Sequence, residues 1–137
     1  MSESKTLSFV IMDAPYERAR STTALRLIDA AIRAGHHVNV FAYEGAVALP
    51  FSKQAPHANT MHGRDAAQED HPLPHRWIEA LLRAAAADGL RLDWVNCGLC
   101  VDERGVNECI AGVRRGSPAD WWKLAEASDN TLVIPTH

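Results

Sequence analysis

Short apolar runs alternate with helix-like segments along the chain, and this alternation is the feature that most constrains the fold. Residues 7–12 (LSFVIM) form a continuous apolar run, long enough for a strand buried on both faces. Residues 21–34 then carry apolar residues at helical spacing, with hydroxyl side chains at the start and Gly35 as a stop. The β-branched and aromatic run at 37–43 predicts a second strand. Two strands joined in this way through a helix predict a βαβ unit with parallel strands and a right-handed crossover.

The same pattern repeats in the second half of the chain. A helical pattern at 77–88 precedes a strand-like run at 92–97. Ser117 is followed by a proline and then an aspartate three positions on, which is typical of a helix start. The apolar run at 131–135 predicts the last strand.

The predicted fold class is therefore α/β, with one domain over residues 1–137. We expect a three-layer sandwich in which helices cover a mostly parallel sheet of flavodoxin-like topology. A chain of 137 residues is large enough to bury its own core without disulfides or metals. Residues 45–74 depart from the pattern because they contain few large apolar side chains and several prolines and glycines. We predict a long surface loop there, with a possible short helix, and loops of this length are usually functional or disordered.

Charge and hydropathy exclude several classes of partner. The formal net charge of -3 gives no electrostatic reason to expect nucleic acid or an anionic membrane surface. No apolar run approaches the roughly 20 residues of a membrane-spanning helix, and the first residues do not have the long apolar core of a secretory signal. We therefore expect a cytoplasmic protein, in which the three cysteines are reduced and a structural disulfide is disfavoured.

The stretch NCGLCVDERGV at 96–106 carries the candidate chemistry. Its first cysteine, Cys97, ends the third predicted strand, and the carboxyl edge of an open α/β sheet is where ligands bind and reactive groups gather. Backbone N–H groups of a helical turn beginning there would favour the thiolate. Arg104 would add positive charge, and the neighbouring acidic residues would oppose it. Cys97, Cys100 and Arg104 are the candidate catalytic residues.

The cysteines allow three other interpretations. A structural zinc site requires four ligands, but Cys109 lies nine residues beyond the pair, and the histidines lie elsewhere without metal-binding spacing. A CxxC thiol–disulfide pair stays open, although the order of elements is not that of thioredoxin. The thiols could also be small buried side chains, the interpretation favoured for Cys109.

A nucleotide-binding module is disfavoured because the connection at 13–23 lacks a glycine-rich phosphate cradle.

Several stretches resemble the DsrE/DsrF-like family, which includes TusD-like subunits of a sulfur-relay complex. They are Pro15 with the helix at 22–34, GHHVNVFAYEGAV at 35–47, CGLCVDERGV at 97–106 and ASDNTLVI at 127–134. The resemblance spans nearly the whole chain. The segment at 45–74 departs from it, because family members often have a shorter connection there.

The resemblance implies that the strand-end cysteine carries sulfur as a persulfide. Placing the family's Arg-Gly on Arg104 and Gly105 puts that role on Cys97, and Cys100 then corresponds to a second cysteine found in some branches. The implied protein is a cytoplasmic sulfur carrier or sulfurtransferase of a sulfur-relay or sulfur-oxidation pathway. It needs no diffusible cofactor and has an accessible thiol that exchanges sulfur with donor and acceptor proteins.

The resemblance also implies assembly into homotrimers or hexamers, or into mixed oligomers with sister subunits. Trp121 and Trp122, adjacent on one predicted helix, cannot both face one core. They indicate either an interface with another subunit, or one tryptophan in the core and the other half-covered at the surface. The alternative functions are a CxxC redox protein and a noncatalytic interaction subunit of a DsrE-type complex.

Overall fold

The computed structural model describes residues 3–136, which form a five-stranded sheet with every strand pairing parallel. The strands lie in the spatial order β4-β3-β2-β1-β5. Their bounds are β1 Thr6–Ile11, β2 His37–Ala42, β3 Leu92–Cys97, β4 Val113–Gly116 and β5 Asn130–Ile134.

Helices connect the strands, and their ends follow the predicted start and stop signals. The Ser117 and Asp120 side chains form a reciprocal capping box at the start of the last helix. The α-helices are α1 Ala19–Arg33, α2 Ala66–Glu69, α3 Pro74–Ala87, α4 Gly98–Arg104 and α5 Pro118–Glu126, and 3-10 helices lie at Glu44–Ala48 and Thr60–His62.

The helices cover both faces of the sheet. Side chains alternate between the two faces along a strand, so Val40 and Phe41 of β2 point in opposite directions. Trp121 of α5 stacks on Phe41, with ring centroids 6.2 Å apart. On the opposite face, α1 packs beside Phe9 of β1 and against α3. The predicted α/β class and parallel three-layer arrangement are confirmed.

The strand order places the topological switch between β1 and β5. The chain adds β2, β3 and β4 on one side of β1, and α5 then returns across the sheet to place β5 on the other side. This order differs from that of flavodoxin, whose second strand lies at the sheet edge beside the first. The crevice outside the ends of β1 and β5 is therefore the position at which such sheets usually bind ligands.

Two elements were not predicted as such from the sequence. The edge strand β4 has the sequence VRRG, in which two arginines replace the apolar residues expected of a strand. For α4, the sequence analysis considered only a helical turn that would begin after Cys97. The long connection at 45–74 contains α2, so the short helix expected there is confirmed. Trp121 is half-buried and Trp122 is 65% exposed.

Adjacent residues of α1 provide a test of the core. Ile28 is fully buried, whereas Leu27 is 40% exposed. We expect Ile28→Ala to lower the free energy of unfolding by about 2–5 kcal/mol because it leaves a cavity in packed hydrocarbon. Leu27→Ala is the matched control and should cost about 1 kcal/mol or less. Urea unfolding of the two variants measures both values, and equal losses would contradict this placement of α1.

Candidate functional site

Cys97 lies at the end of β3 and immediately precedes α4, as the sequence predicted. Its side chain is only 3% exposed, so the accessible thiol expected from the sequence is absent in the single chain. The reason is that α4 and the 3-10 helix at Glu44–Ala48 pack together over the end of the strand. A helix does begin after Cys97, but the Cys97 side chain makes no capping hydrogen bond with the first backbone N–H groups of α4.

Cys100 faces the first cysteine from within α4 and is 5% exposed. Its Sγ accepts a hydrogen bond from the backbone N–H of Glu44 at 3.2 Å. The next residue, Gly45, packs closely against Ala14, and this packing holds the Glu44 N–H in place. A Cβ on Gly45 would lie 2.8 Å from the Ala14 Cβ and 2.9 Å from the Ala14 backbone N. The loops after β1, β2 and β3 therefore meet around the cysteine pair.

The surroundings of Cys100 favour its neutral thiol. Burial raises the pKa of the Cys100 thiol, and its hydrogen bond with Cys97 raises it further. The Glu44 N–H and the charge of Arg104 act in the opposite direction but are smaller causes. Cys97 is the candidate nucleophile because it lies at the carboxyl end of β3.

Arg115 of β4 is a charged residue of the site that sequence analysis missed. Its guanidinium lies against Gly98, where a Cβ would come within 2.8 Å of Nη2. Two hydrogen bonds of 3.0 and 2.9 Å join it to the Asp102 carboxylate. Hydrogen bonding to Asp102 raises the pKa of Arg115, and the negative charge of a Cys97 thiolate adds to this effect. The only sequence signal was the glycine after Cys97, which leaves room for this side chain.

Arg104 and Cys109 lie on different sides of the site. Arg104 Nη1 donates to the carbonyl oxygen of Cys100 at 3.3 Å, so it lies on the Cys100 side of the pair. Cys109 is only half-buried, and its Sγ accepts from Asn96 Nδ2 at 3.4 Å. Asn96 also donates to the Val47 carbonyl, and this joins β3 to the segment after β2. Cys109 belongs to a structural hydrogen-bond network, away from the cysteine pair.

The histidines of the long connection do not join the cysteines. The rings of His57 and His71 lie 4.1 Å apart, and His75 at the start of α3 is bonded to Gln54 at 2.8 Å. Within residues 3–136, no group of three or more histidine, cysteine, aspartate and glutamate side chains is arranged to hold a metal ion. The same residues include no helix long and apolar enough to cross a membrane.

Comparison with known proteins identifies the family. The profile of the DsrE/DsrF-like family matches residues 5–134. The chain belongs to this family. Among solved structures, the crystal structure of the ychN protein from E. coli is similar to this chain, with a TM-score of 0.69 at 19% identity. The match covers 95% of this chain and 99% of that one, and it supports the DsrE-like fold alone. No curated protein sequence matches the chain.

Two neighbouring arginines test whether Arg115 acts on Cys97. Arg114 makes the same paired bonds, to Asp93, but belongs to the opposite face of the edge strand. We expect Arg115→Ala to slow alkylation of Cys97 near neutral pH by about two- to fivefold, because a positive charge beside the thiolate is lost and solvent screens such charges. Arg114→Ala should leave the rate unchanged. Peptide-resolved mass spectrometry after timed alkylation at several pH values measures both, and equal rates in the two variants would contradict the assignment.

The raised pKa of Cys100 predicts a loss of stability in alkali. Its contribution is fully present below the pKa of an unfolded cysteine, about 8.5, and is lost as the pH rises through the higher folded pKa. The free energy of unfolding should therefore fall more steeply between about pH 8 and 10 in wild type than in Cys100→Ser. Urea unfolding across this range measures both slopes. Parallel curves would show that Cys100 is not held in its protonated form.

Proposed function

We propose that the protein is a sulfur carrier or sulfurtransferase that holds sulfane sulfur on Cys97 as a persulfide. The observation that carries the proposal is the placement of two buried cysteines at the carboxyl end of β3, with the Arg115 guanidinium against Gly98 beside them. Membership of the DsrE/DsrF-like family, which is generally linked to sulfur relay, supports the same conclusion. The sulfur cargo is the only group exchanged, and no diffusible cofactor takes part.

Loading is a thiol–persulfide exchange. The Cys97 thiolate attacks the outer sulfur of a donor persulfide, R–S–SH, so that a new S–S bond forms as the donor's S–S bond breaks. The products are Cys97–S–SH and the donor thiolate, and no net oxidation occurs. As in disulfide exchange, the rate depends on the thiolate fraction, the leaving thiol and access to the sulfur.

Release repeats the exchange with an acceptor. An acceptor thiolate attacks the outer sulfur, takes it as a persulfide, and regenerates the Cys97 thiolate. The Arg115 guanidinium beside Gly98 stabilises negative charge on Cys97 both before loading and after release. Asp102 orients this guanidinium through its two hydrogen bonds.

Burial of the pair requires an opening step before exchange. Leu99, between the two cysteines in sequence, is 73% exposed, so one face of α4 is open to solvent. A small displacement of α4, which is only seven residues long, would expose Cys97. This protects the persulfide from water and small thiols until a partner docks.

Cys100 makes a second reaction possible. If it loses its proton it can attack the inner sulfur, which forms a Cys97–Cys100 disulfide and expels hydrosulfide. Its raised pKa disfavours this step at neutral pH. The same proximity supports the alternative function, a CxxC thiol–disulfide protein that a partner dithiol would reduce again.

Partners follow from the exchange chemistry. The donor and the acceptor are both proteins with a reactive thiol, and we propose that the chain assembles as a homotrimer or hexamer or with sister DsrE-like subunits. Exposed apolar residues at one sheet edge, Leu132 and Val133 of β5, support such an assembly. A noncatalytic subunit would assemble in the same way but would not accept sulfur.

Intact-mass spectrometry after incubation with a persulfide donor tests the proposal. We expect one added sulfur on wild type, none on Cys97→Ser, and an unchanged gain on Cys109→Ser, the matched control in the structural network. Cys100→Ser should load as well as wild type and should retain its sulfur longer, because the internal attack is removed. Equal loading of Cys97→Ser would contradict the proposal.

The redox alternative gives a different mass. A thiol–disulfide protein would lose two hydrogens from Cys97 and Cys100 on oxidation by a disulfide reagent and would gain no sulfur from the donor. A noncatalytic subunit would show neither change in its native state.

A further inference from the structure

A cavity of about 300 Å³ lies outside the carboxyl end of β1. It occupies the topological switch between β1 and β5, where open α/β sheets bind ligands. Its lining includes Asp13, Glu17, Arg18, Glu44, Gly45 and Thr136.

Asp13 is the unusual residue of this cavity. It is 7% exposed, and within the described residues its Oδ2 atom is buried without a hydrogen-bond partner. A carboxylate in this position costs free energy unless a partner satisfies it. Among residues 3–136, Arg18 is the one basic residue of the lining, and its Nη1 donates to the carbonyl oxygen of Thr136 at 3.0 Å.

The charge of the lining selects a cation. Among the described residues of the lining, three acidic side chains, Asp13, Glu17 and Glu44, outnumber the single Arg18. These carboxylates do not form a metal-binding group with other ligating side chains among residues 3–136. An organic cation that donates N–H hydrogen bonds matches this lining, because it supplies both the charge and the donor that Asp13 lacks.

Glu44 connects the cavity to the sulfur chemistry. It lines the cavity, and its backbone N–H donates to Cys100 Sγ at 3.2 Å. Gly45 and Ala14, which also line the cavity, pack so closely that a Cβ on Gly45 would lie 2.8 Å from the Ala14 Cβ. Glu44 is therefore shared by the wall of the cavity and the surroundings of Cys100.

We propose that this cavity binds the ammonium or guanidinium group of a lysine or arginine of the protein that exchanges sulfur with Cys97. The identity of the partner rests on the proposed function, but the cation site itself does not. The bound side chain places the partner's reactive thiol beside α4 and satisfies Asp13. The site therefore selects partners with a basic residue near the thiol.

NMR titration with Nα-acetyl-lysine methylamide tests the site without any sulfur donor. We expect saturable shifts of the Ala14 and Gly45 amides, and none with tetramethylammonium at equal ionic strength because that ion has no N–H donor. Asp13→Asn should weaken binding by about tenfold or more, since one partner of a buried charge pair is lost. Asp88→Asn is the control, because it removes an equal charge at an exposed residue that ends α3, away from the cavity.

Thermal unfolding separates a ligand site from a structural role for Asp13. Removal of an unpaired buried charge should raise the Tm of Asp13→Asn by about 2–5 °C in the absence of ligand. A structural carboxylate would give a lower Tm. If Asp13→Asn does not fold, Glu17→Gln at the exposed rim should still weaken lysine binding severalfold.

Three results would overturn the proposal: no saturable shift in wild type, equal shifts with tetramethylammonium, or unchanged binding in Asp13→Asn. Each is independent of sulfur loading on Cys97. The cation site and the proposed function therefore fail separately.

Discussion

Close packing at the carboxyl edge of the sheet is the constraint on which the cysteine site depends. The loops after β1 and β2 approach each other at Gly45, and Arg115 of β4 approaches the turn after β3 at Gly98. At both positions a Cβ would come within 2.8 Å of a neighbouring atom. This packing buries two thiols against each other and brings the Glu44 N–H to Cys100. A looser edge would leave both sulfurs hydrated and chemically equivalent.

The two buried thiols have different neighbours. Desolvation and the hydrogen bond with Cys97 both raise the pKa of Cys100. The guanidinium of Arg115 lies on the Cys97 side of the pair, and the acidic cavity at Asp13 lies on the Glu44 side. A guanidinium therefore lies near Cys97, and carboxylates lie beyond Cys100, so the two sides of the site differ in charge.

Much of the fold could be predicted from the sequence because its helices and central strands carry clear periodic patterns. The bounds of β3 at Leu92–Cys97 agree with the prediction, and Ser117 caps α5 as its sequence indicated. β4 could not be predicted, because an exposed edge strand needs no apolar alternation and its two arginines make ion pairs instead. Because the run at 92–97 predicts β3, it also predicts that Cys97 lies at the end of that strand.

The contacts of the site could not be predicted, since they join residues far apart in the chain. Glu44 and Cys100 are separated by 56 residues, and Arg115 and Asp102 by 13. Burial of Cys97 was missed because nothing in the local sequence reveals that a second loop covers α4.

Tandem mass spectrometry of the loaded wild-type protein tests the central claim most directly, because fragmentation between Gly98 and Leu99 separates Cys97 from Cys100. The account predicts that the added sulfur lies on the fragment that contains Cys97. An added sulfur on Cys100 or Cys109 would contradict it.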